Sequence, residues 1–112
     1  MSDCLFCRIV AGEVPADVVA ETDRTLAFRD VAPQAPTHVL VVPREHHADV
    51  GACAEADPAL LGELLVAAAD VARAEGLTGG YRLLTNSGPD AGQTVHHLHV
   101  HVLGGRPLGS LG

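Results

Sequence analysis

Apolar and polar residues alternate along several short stretches of the chain, which is the pattern of half-buried strands. Residues 17–22 and 25–30 are two such stretches, and the two residues between them predict a tight hairpin. Residues 37–43, "THVLVVP", form an apolar run that ends at a proline and predicts a buried strand. Residues 81–86 and 94–103 predict two further strands, so we expect a five-stranded antiparallel sheet.

A long segment carries apolar residues at helical spacing. Asp57 is a suitable N-cap, Pro58 suits the first helical position, and Gly76 is a natural stop after the last turn. The predicted buried face comprises Leu61, Leu64, Leu65, Ala68, Val71 and Ala72. Apolar residues at positions 5, 6, 9 and 10 predict a short N-terminal helix. The chain therefore reads as one α+β domain over residues 1–112, with the long helix packed on one face of the sheet.

Composition narrows the possible partners. Hydrophobic residues make up 47% of the 112 residues but aromatic residues only 3%, so aliphatic side chains must build the core. A net charge of −7 argues against binding nucleic acid or an anionic membrane through general electrostatics. The sequence holds no apolar run of membrane-spanning length, and its N-terminus lacks the features of a signal peptide. We therefore expect a cytoplasmic protein.

The segment "TVHHLHVHVLGG" holds four of the seven histidines. On a strand, side chains at alternate positions share a face, so His97, His99 and His101 lie together opposite a row of aliphatic residues. Their spacing of roughly 6–7 Å prevents all three from reaching one tetrahedral metal ion. A row of imidazoles suits attack on phosphorus, because a neutral histidine can be the nucleophile while a charged neighbour holds the anion.

The loop before this segment supplies small and polar groups, namely Asn86, Ser87, Gly92, Gln93 and Thr94. Glycine allows backbone N–H groups to approach a phosphate closely, and threonine adds a hydroxyl donor. Glycine-rich turns are common before strands, so the loop becomes a candidate phosphate cradle only because the histidine row follows it.

Three cysteines, an odd number, argue against a secreted disulfide framework. Cys53 stands alone and is expected to be a small core residue. Cys4 and Cys7 form a C-x-x-C pair that, with one histidine from each of the two histidine groups, permits a Cys₂His₂ zinc site. The same pair is also compatible with simple packing of a short helix, and the spacing does not decide between the two.

Several segments together resemble the histidine-triad (HIT) family. "HLHVHVLGG" fits its pattern of three histidines alternating with aliphatic residues, and "GQTVHHLHVHVLGGR" is most similar to the Hint branch, the nucleoside phosphoramidate hydrolases. "LFCRIVAGEVPA", "TLAFRDVAPQAPTHVLVVPREHH" and "GYRLLTNSGPDAGQTV" extend the resemblance over almost the whole chain. It implies a HIT-like fold with one long helix, a short N-terminal helix, and a sheet continued across a two-fold homodimer.

The resemblance also implies an activity. His99 is then the nucleophile that attacks the α-phosphate of a purine nucleotide and forms a nucleotidyl-histidine, which water hydrolyses. The products would be AMP or GMP released from phosphoramidate or acyl-adenylate substrates. His101 matches the residue that contacts the phosphate and the leaving group, His97 matches the first triad histidine, and His38 is expected to support the triad.

The resemblance assigns binding roles residue by residue. Gly92 and Thr94 match the positions that bind α-phosphate oxygens, with Gln93 between them within reach of the leaving-group side. Asn86 matches a polar residue near the phosphate, and Asp30 matches the carboxylate that takes the ribose hydroxyls. The apolar wall around the base is expected to comprise Leu5, Phe6, Ile9, Val14, Phe28, Val31 and Leu40. The implied structural Zn²⁺ ligands are Cys4, Cys7, His46 and His97, with His47 as the competitor of His46.

Two departures from the Hint pattern affect the expectations. Position 96 is histidine where tyrosine or phenylalanine is usual, and the C-terminal segment lacks the tryptophan that shapes the leaving-group side. The substrate preference is therefore left open. The alternatives are a dinucleoside polyphosphate hydrolase, as in the Fhit branch, and a non-catalytic nucleotide-binding or zinc-stabilised interaction protein.

Overall fold

The computed structural model describes residues 3–110, which form a sheet with helices on both faces. The helices are α1 (Leu5–Val10), α2 (Val50–Ala56) and α3 (Pro58–Ala74), with a 3₁₀ turn at Pro89–Ala91. The strands are β1 (Val18–Glu21), β2 (Thr25–Arg29), β3 (Thr37–Pro43), β4 (Tyr81–Leu84) and β5 (Val100–Gly104). None of the helices described is long and apolar enough to cross a membrane.

The five strands form one antiparallel sheet in the order β1-β2-β3-β5-β4, which confirms the predicted α+β fold. The central strands β3 and β5 pair from Thr37↔Gly104 to Val41↔Val100, and this register sets Leu40 opposite His101. The last residue of β4, Leu84, also pairs with His101. His101 therefore lies on a strand that is held by neighbours on both sides, whereas His99 comes just before that strand.

The two faces of the sheet carry two separate apolar clusters. Alternate β3 residues Val39 and Val41 pack with α3, together with the buried Cys53 of α2. Leu40 and Val42 face the other way and join Phe6 of α1 in a smaller cluster. Cys53 is a core residue as expected, and burial raises the pKa of its thiol. The short N-terminal helix thus covers the face opposite the long helix.

The start of the long helix differs from the prediction. Asp57 occupies the N-cap position, but its carboxylate pairs with Arg24 and makes no capping hydrogen bond. The buried face includes Leu60 in place of Leu65, which is 52% exposed. A preceding helix, α2, was absent from the prediction and is capped by the Asp49 side chain, which accepts from the Ala52 N–H at 2.9 Å.

The last strand is shorter than predicted. It begins at Val100, whereas residues 94–99 were expected to belong to it, and residues 95–97 form a bend. The backbone leaves the sheet because Leu98 N–H donates to the carbonyl of His47 at 2.7 Å. Alternation of faces nevertheless persists through the bend, since Leu98 and Val100 are in the core cluster under α3. The strand predicted over residues 81–86 ends at Leu84. Of the two hairpin strands, β1 is one residue shorter than predicted at each end, and β2 is one residue shorter at its outer end.

Candidate active site and metal cluster

A cavity of about 540 Å³ opens beside α1 and the ends of β2 and β5. Six of the seven predicted wall residues line it, namely Leu5, Phe6, Ile9, Phe28, Val31 and Leu40, whereas Val14 does not. The predicted polar residues Asp30, Thr94, His99 and His101 line it as well. The cavity therefore combines an apolar slot with two imidazoles, a carboxylate and a hydroxyl.

Other lining residues were missed at the sequence level. Pro15, Ala16 and Asp17 belong to the connection between α1 and β1, and Arg29 directly precedes Asp30. None of these four residues lies in a sequence pattern that would indicate a cavity wall. Val95 could have been found, because it lies two residues before His97 and shares the parity of the histidine row. A second cavity, of about 680 Å³, lies between residues 76–82 and 105–108, and no His, Cys, Asp or Glu lines it.

His99 is buried and has one ring nitrogen fixed by the backbone. Its Nδ1 lies 2.8 Å from the carbonyl oxygen of His97, and a carbonyl can only accept, so Nδ1 carries the proton. The other nitrogen, Nε2, therefore has a free lone pair in the neutral ring. The Phe6 ring packs edge-on against the imidazole with its centroid 5.0 Å away, which restricts rotation of His99. A neutral imidazole with its proton on Nδ1 and a free lone pair on Nε2 is the state that a histidine nucleophile requires.

His101 is arranged differently. Its Nδ1 lies 2.8 Å from Nε2 of His38, while its own Nε2 is buried and has no hydrogen-bond partner among residues 3–110. Burial, with help from the neighbouring His99 and His38, lowers the pKa of His101 to about 4 against the opposing effect of Asp30. A buried nitrogen without a partner is costly, and because His101 lines the cavity, this nitrogen is available to a bound ligand.

His38 does not line the cavity but connects it to the loop between β2 and β3. Its Nδ1 accepts from the Gln34 N–H at 3.1 Å, and its Nε2 lies 3.5 Å from a carboxylate oxygen of Asp30. Burial lowers the pKa of His38, and the Asp30 charge opposes this shift. The other Asp30 oxygen accepts from the Ala32 N–H at 2.8 Å. Asp30 thus stands at the cavity with one oxygen fixed in a turn.

The glycine-rich loop places only Thr94 of its predicted residues at the cavity; Asn86, Gly92 and Gln93 do not line it. The Gln93 amide is buried, donating to the carbonyls of Ala48 at 2.7 Å and Val95 at 3.1 Å. Its oxygen accepts from the Gly88 N–H at 2.9 Å. The side chain therefore holds the loop in this structure, and its expected contact with a leaving group stays a prediction.

A second cluster lies at the start of α1. The sulfurs of Cys4 and Cys7 and one ring nitrogen each of His46 and His97 all lie within 4.8 Å of one another. His97 Nε2 donates to the Pro43 carbonyl at 2.9 Å, which leaves Nδ1 with its lone pair toward the sulfurs. His46, and not His47, lies in this cluster. The ring of His47 is buried elsewhere, with its Nε2 3.0 Å from a carboxylate oxygen of Glu45.

The spacing of these four atoms can be compared with a tetrahedral zinc site. Typical zinc–sulfur and zinc–nitrogen bonds separate neighbouring ligand atoms by roughly 3.3–3.8 Å, with the nitrogen–nitrogen and nitrogen–sulfur pairs at the shorter end. Here the His97 Nδ1 lies 3.3 Å from Cys4 Sγ, 3.5 Å from Cys7 Sγ and 3.2 Å from His46 Nδ1, and Cys7 Sγ lies 3.4 Å from His46 Nδ1. Two thiols and two imidazoles at these distances fit a structural zinc ion.

Comparison with known proteins places the chain in a family. A model of the HIT domain matches residues 11–108. The chain belongs to the HIT family. A HIT-like protein of Synechococcus elongatus, itself described as uncharacterized, is 53% identical over 106 residues, 95% of this chain and 93% of that protein. The predicted family is therefore confirmed, and the match does not separate the Hint branch from the others.

Solved structures of HIT proteins confirm the predicted fold. A HIT family hydrolase from Clostridium thermocellum has a TM-score of 0.93 at 43% identity, covering 99% of this chain and 97% of that one. A histidine triad nucleotide-binding protein from Candida albicans has a TM-score of 0.82 at 30% identity, covering 98% of this chain and 87% of that one. Similarity to a HIT hydrolase over the full fold supports a hydrolase-type role.

The three histidines of this HIT protein face two different surroundings. His97 is fully buried and belongs to the cysteine cluster, while His99 and His101 line the cavity. The ring centroids of His99 and His101 are 5.0 Å apart. The His97 carbonyl accepts from His99 Nδ1 and so fixes the orientation of that ring. His96 is exposed and does not line the cavity.

Proposed function

We propose that this protein hydrolyses purine nucleotide phosphoramidates or acyl-adenylates and releases AMP or GMP. The observation that carries the proposal is the pairing of His99, which has a free Nε2 lone pair, with His101, which has an unpartnered buried Nε2, at one cavity. The apolar slot suits a purine base. The description of the Candida albicans relative as nucleotide-binding adds support for a nucleotide ligand.

The cavity residues allow a two-step reaction. The base lies in the apolar slot, Asp30 takes the ribose hydroxyls, and Thr94 and His101 hold the α-phosphate. His99 Nε2 attacks phosphorus, and the bond from phosphorus to the leaving nitrogen or oxygen breaks while His101 Nε2–H donates a hydrogen bond to the leaving atom; a leaving amine takes its proton from solvent. Water then attacks the nucleotidyl-histidine and releases one proton to solvent, which frees His99 and the nucleoside monophosphate.

Replacement of His99 tests the nucleophile. His99→Asn should lower kcat at least roughly 1,000-fold on adenosine and guanosine phosphoramidates while nucleotide binding persists, because the ring nitrogen is lost but the slot is not. Brief mixing of the wild-type protein with α-³²P-labelled substrate should leave label on the protein, and the variant should stay unlabelled. Substantial turnover by His99→Asn would show that another residue attacks.

A substrate panel separates the remaining alternatives. Phosphoramidates and acyl-adenylates should be cleaved with higher kcat/KM than dinucleoside polyphosphates. The reverse order would favour the Fhit-like alternative. Binding of AMP without turnover of any member of the panel would favour a non-catalytic nucleotide-binding protein.

We also propose that Cys4, Cys7, His46 and His97 hold a structural Zn²⁺, since their donor atoms fit a tetrahedral site. When bound, the ion supplies a cross-link between the start of α1 and the segments that carry His46 and His97. The residues of the chain do the catalytic work. His97, through its own carbonyl, keeps the proton of His99 on Nδ1.

We further propose that two copies associate through β4 into a homodimer with one continuous sheet. β4 is an edge strand, so its outer backbone groups are available to pair with a second copy. Tyr81 on this strand is 45% exposed, and Leu65 and Val66 of α3 are also exposed apolar residues. The single-domain organisation and the cytoplasmic location stay predictions from the sequence.

A further inference from the structure

Arg106 links the C-terminal segment to the loop between β2 and β3. One guanidinium nitrogen donates to the carbonyl of Gln34 at 3.0 Å, and another donates to the Pro107 carbonyl at 2.9 Å. The two segments are tightly apposed, since a Cβ placed on Gly105 would lie 2.8 Å from the Pro36 side chain. Arg106 lies outside the cavity that holds His99 and His101.

Gln34 is the residue through which this contact reaches the site. Its N–H donates to Nδ1 of His38 at 3.1 Å, and its side-chain amide donates to the Ala32 carbonyl at 2.9 Å. Gln34 is exposed, so little packing holds it in place. The bond from Arg106 is therefore one of a small number of anchors that keep the Gln34 N–H directed at His38.

This N–H helps to set the tautomers of two imidazoles in sequence, in the same direction as the Asp30 carboxylate that lies 3.5 Å from His38 Nε2. A backbone N–H only donates, so His38 Nδ1 must accept, and a neutral His38 then carries its proton on Nε2. That Nε2 is 2.8 Å from His101 Nδ1 and donates to it. A neutral His101 therefore carries its own proton on Nε2, the buried nitrogen without a partner at the cavity.

We propose that Arg106 is a positioning residue that holds Gln34 against His38 and thereby keeps the proton of His101 on Nε2. The proposal rests on the proposed hydrolase function, in which this N–H donates a hydrogen bond to the leaving group as it takes a proton from solvent. If the Gln34 N–H moved away, both rings could take the opposite tautomer. His101 would then direct a lone pair at the phosphate oxygens and would have no N–H to donate to a departing amine.

The kinetic test uses two adenosine 5′-phosphate derivatives that differ only in the leaving group. An alkylamine needs a proton to depart, whereas a nitrophenolate does not. Arg106→Ala should lower kcat about 10-fold for the amine substrate and less than about 2-fold for the nitrophenyl ester, with KM little changed. Arg106→Lys, which can still donate to the Gln34 carbonyl, should restore part of the loss.

Arg82→Ala is the matched control. Arg82 also donates to a backbone carbonyl of the C-terminal segment, that of Gly109 at 2.9 Å, but it makes no bond to Gln34. This variant should show the wild-type ratio of kcat for the two substrates. An equal loss for both substrates in Arg106→Ala, or the same loss in both arginine variants, would overturn the positioning role.

A spectroscopic test works without turnover. Histidine ring ¹⁵N NMR of the full chain should show the Nε2–H tautomer for His38 and His101 and the Nδ1–H tautomer for His99. Arg106→Ala should shift His38 and His101 toward a mixture and leave His99 unchanged. Unchanged tautomers would refute the proposal, whereas a wild-type protein that cleaves neither substrate would refute the proposed function and leave the tautomers to be decided by NMR.

Discussion

His99 and His101 are the same side chain two residues apart, yet their protons lie on opposite ring nitrogens. The His97 carbonyl places the proton of His99 on Nδ1, and His38 places the proton of His101 on Nε2. A ring that offers a lone pair and a ring that offers an N–H are thus set side by side. The histidine row by itself predicted a neutral nucleophile beside a charged neighbour, but it did not predict the tautomers, because these depend on hydrogen-bond partners that are distant along the chain.

The depressed pKa of His101 predicts acid sensitivity. In the unfolded chain a histidine titrates near its ordinary pKa of about 6.5, but folded His101 takes a proton only near pH 4. Between these values the unfolded state binds more protons than the folded state. The contribution of neutral His101 to the stability of the folded protein is therefore complete above about pH 6.5 and is lost as the pH falls toward 4. The loss should amount to about 2–3 kcal/mol from this residue.

Urea unfolding at several pH values between 7.5 and 4.5 measures this effect. His101→Gln should have a flatter dependence of the free energy of unfolding on pH than the wild type. His96→Gln is the matched control, because His96 is exposed and its replacement should retain the wild-type slope. A His101→Gln slope equal to that of the wild type would show that burial of His101 does not cause the sensitivity.

At the scale of elements, α1 joins the cysteine–histidine cluster to the cavity. Cys4 and Cys7 lie at its start in the cluster, while Leu5, Phe6 and Ile9 of the same helix line the apolar slot. A six-residue helix is too short to be stable alone, so tertiary contacts must hold it. The proposed zinc ion, by fixing the first turn of α1, would therefore fix one wall of the proposed nucleotide site.

Removal of a cluster ligand tests this coupling. Cys4→Ser should lose most of the zinc found in the purified wild-type protein, lower Tm by at least about 5 °C, and raise KM for the nucleotide substrate. Cys53→Ala replaces a thiol outside the cluster and should keep the metal. Equal zinc content in Cys4→Ser and the wild type, measured by elemental analysis, would refute the ligand assignment.

Element boundaries show where local pattern stopped being informative. The long helix was predicted from Pro58, but Leu60 replaced Leu65 on its buried face because the packing of α3 on β3 and β5 sets its rotation. Helix α2 carries only seven residues with a glycine near its start, too few for a clear periodicity. The late start of β5 accompanies the bond between the Leu98 N–H and the His47 carbonyl, which no alternation pattern contains.

At the scale of the whole molecule, the sheet has two edges that expose apolar residues to a similar extent. β1 forms one edge and β4 the other, and each has an exposed apolar residue of similar exposure: Val18 is 43% and Tyr81 is 45% exposed. Exposed apolar residues of α3, Leu65 and Val66, add to the apolar surface of the chain. The proposed dimer forms through the β4 edge, and the alternative is an association through the β1 edge.

Charge substitutions at the two edges test this assignment. Tyr81→Glu should convert the dimer to a monomer in sedimentation velocity experiments, because a carboxylate would be buried against the second copy. Val18→Glu adds the same charge at the opposite edge and should stay dimeric. Dissociation by Val18→Glu alone, or a monomeric wild-type protein, would contradict an interface through β4.

The sequence by itself determined the family, the five strands, the long helix and the residue types of both sites. These follow from spacing within a short stretch: alternation places His97, His99 and His101 on one face, and the C-x-x-C pair starts a short helix. Most of the apolar wall was predicted through the resemblance alone.

Only the tertiary structure decided which members of each set act together. It brought His46 rather than His47 to the cysteines, committed the Gln93 amide to its own loop, and placed Arg106 on Gln34. Each of these depends on a distance of a few ångströms between segments that are far apart in the chain. Such distances are set by the packing of the sheet and its helices, which no local pattern of residues encodes.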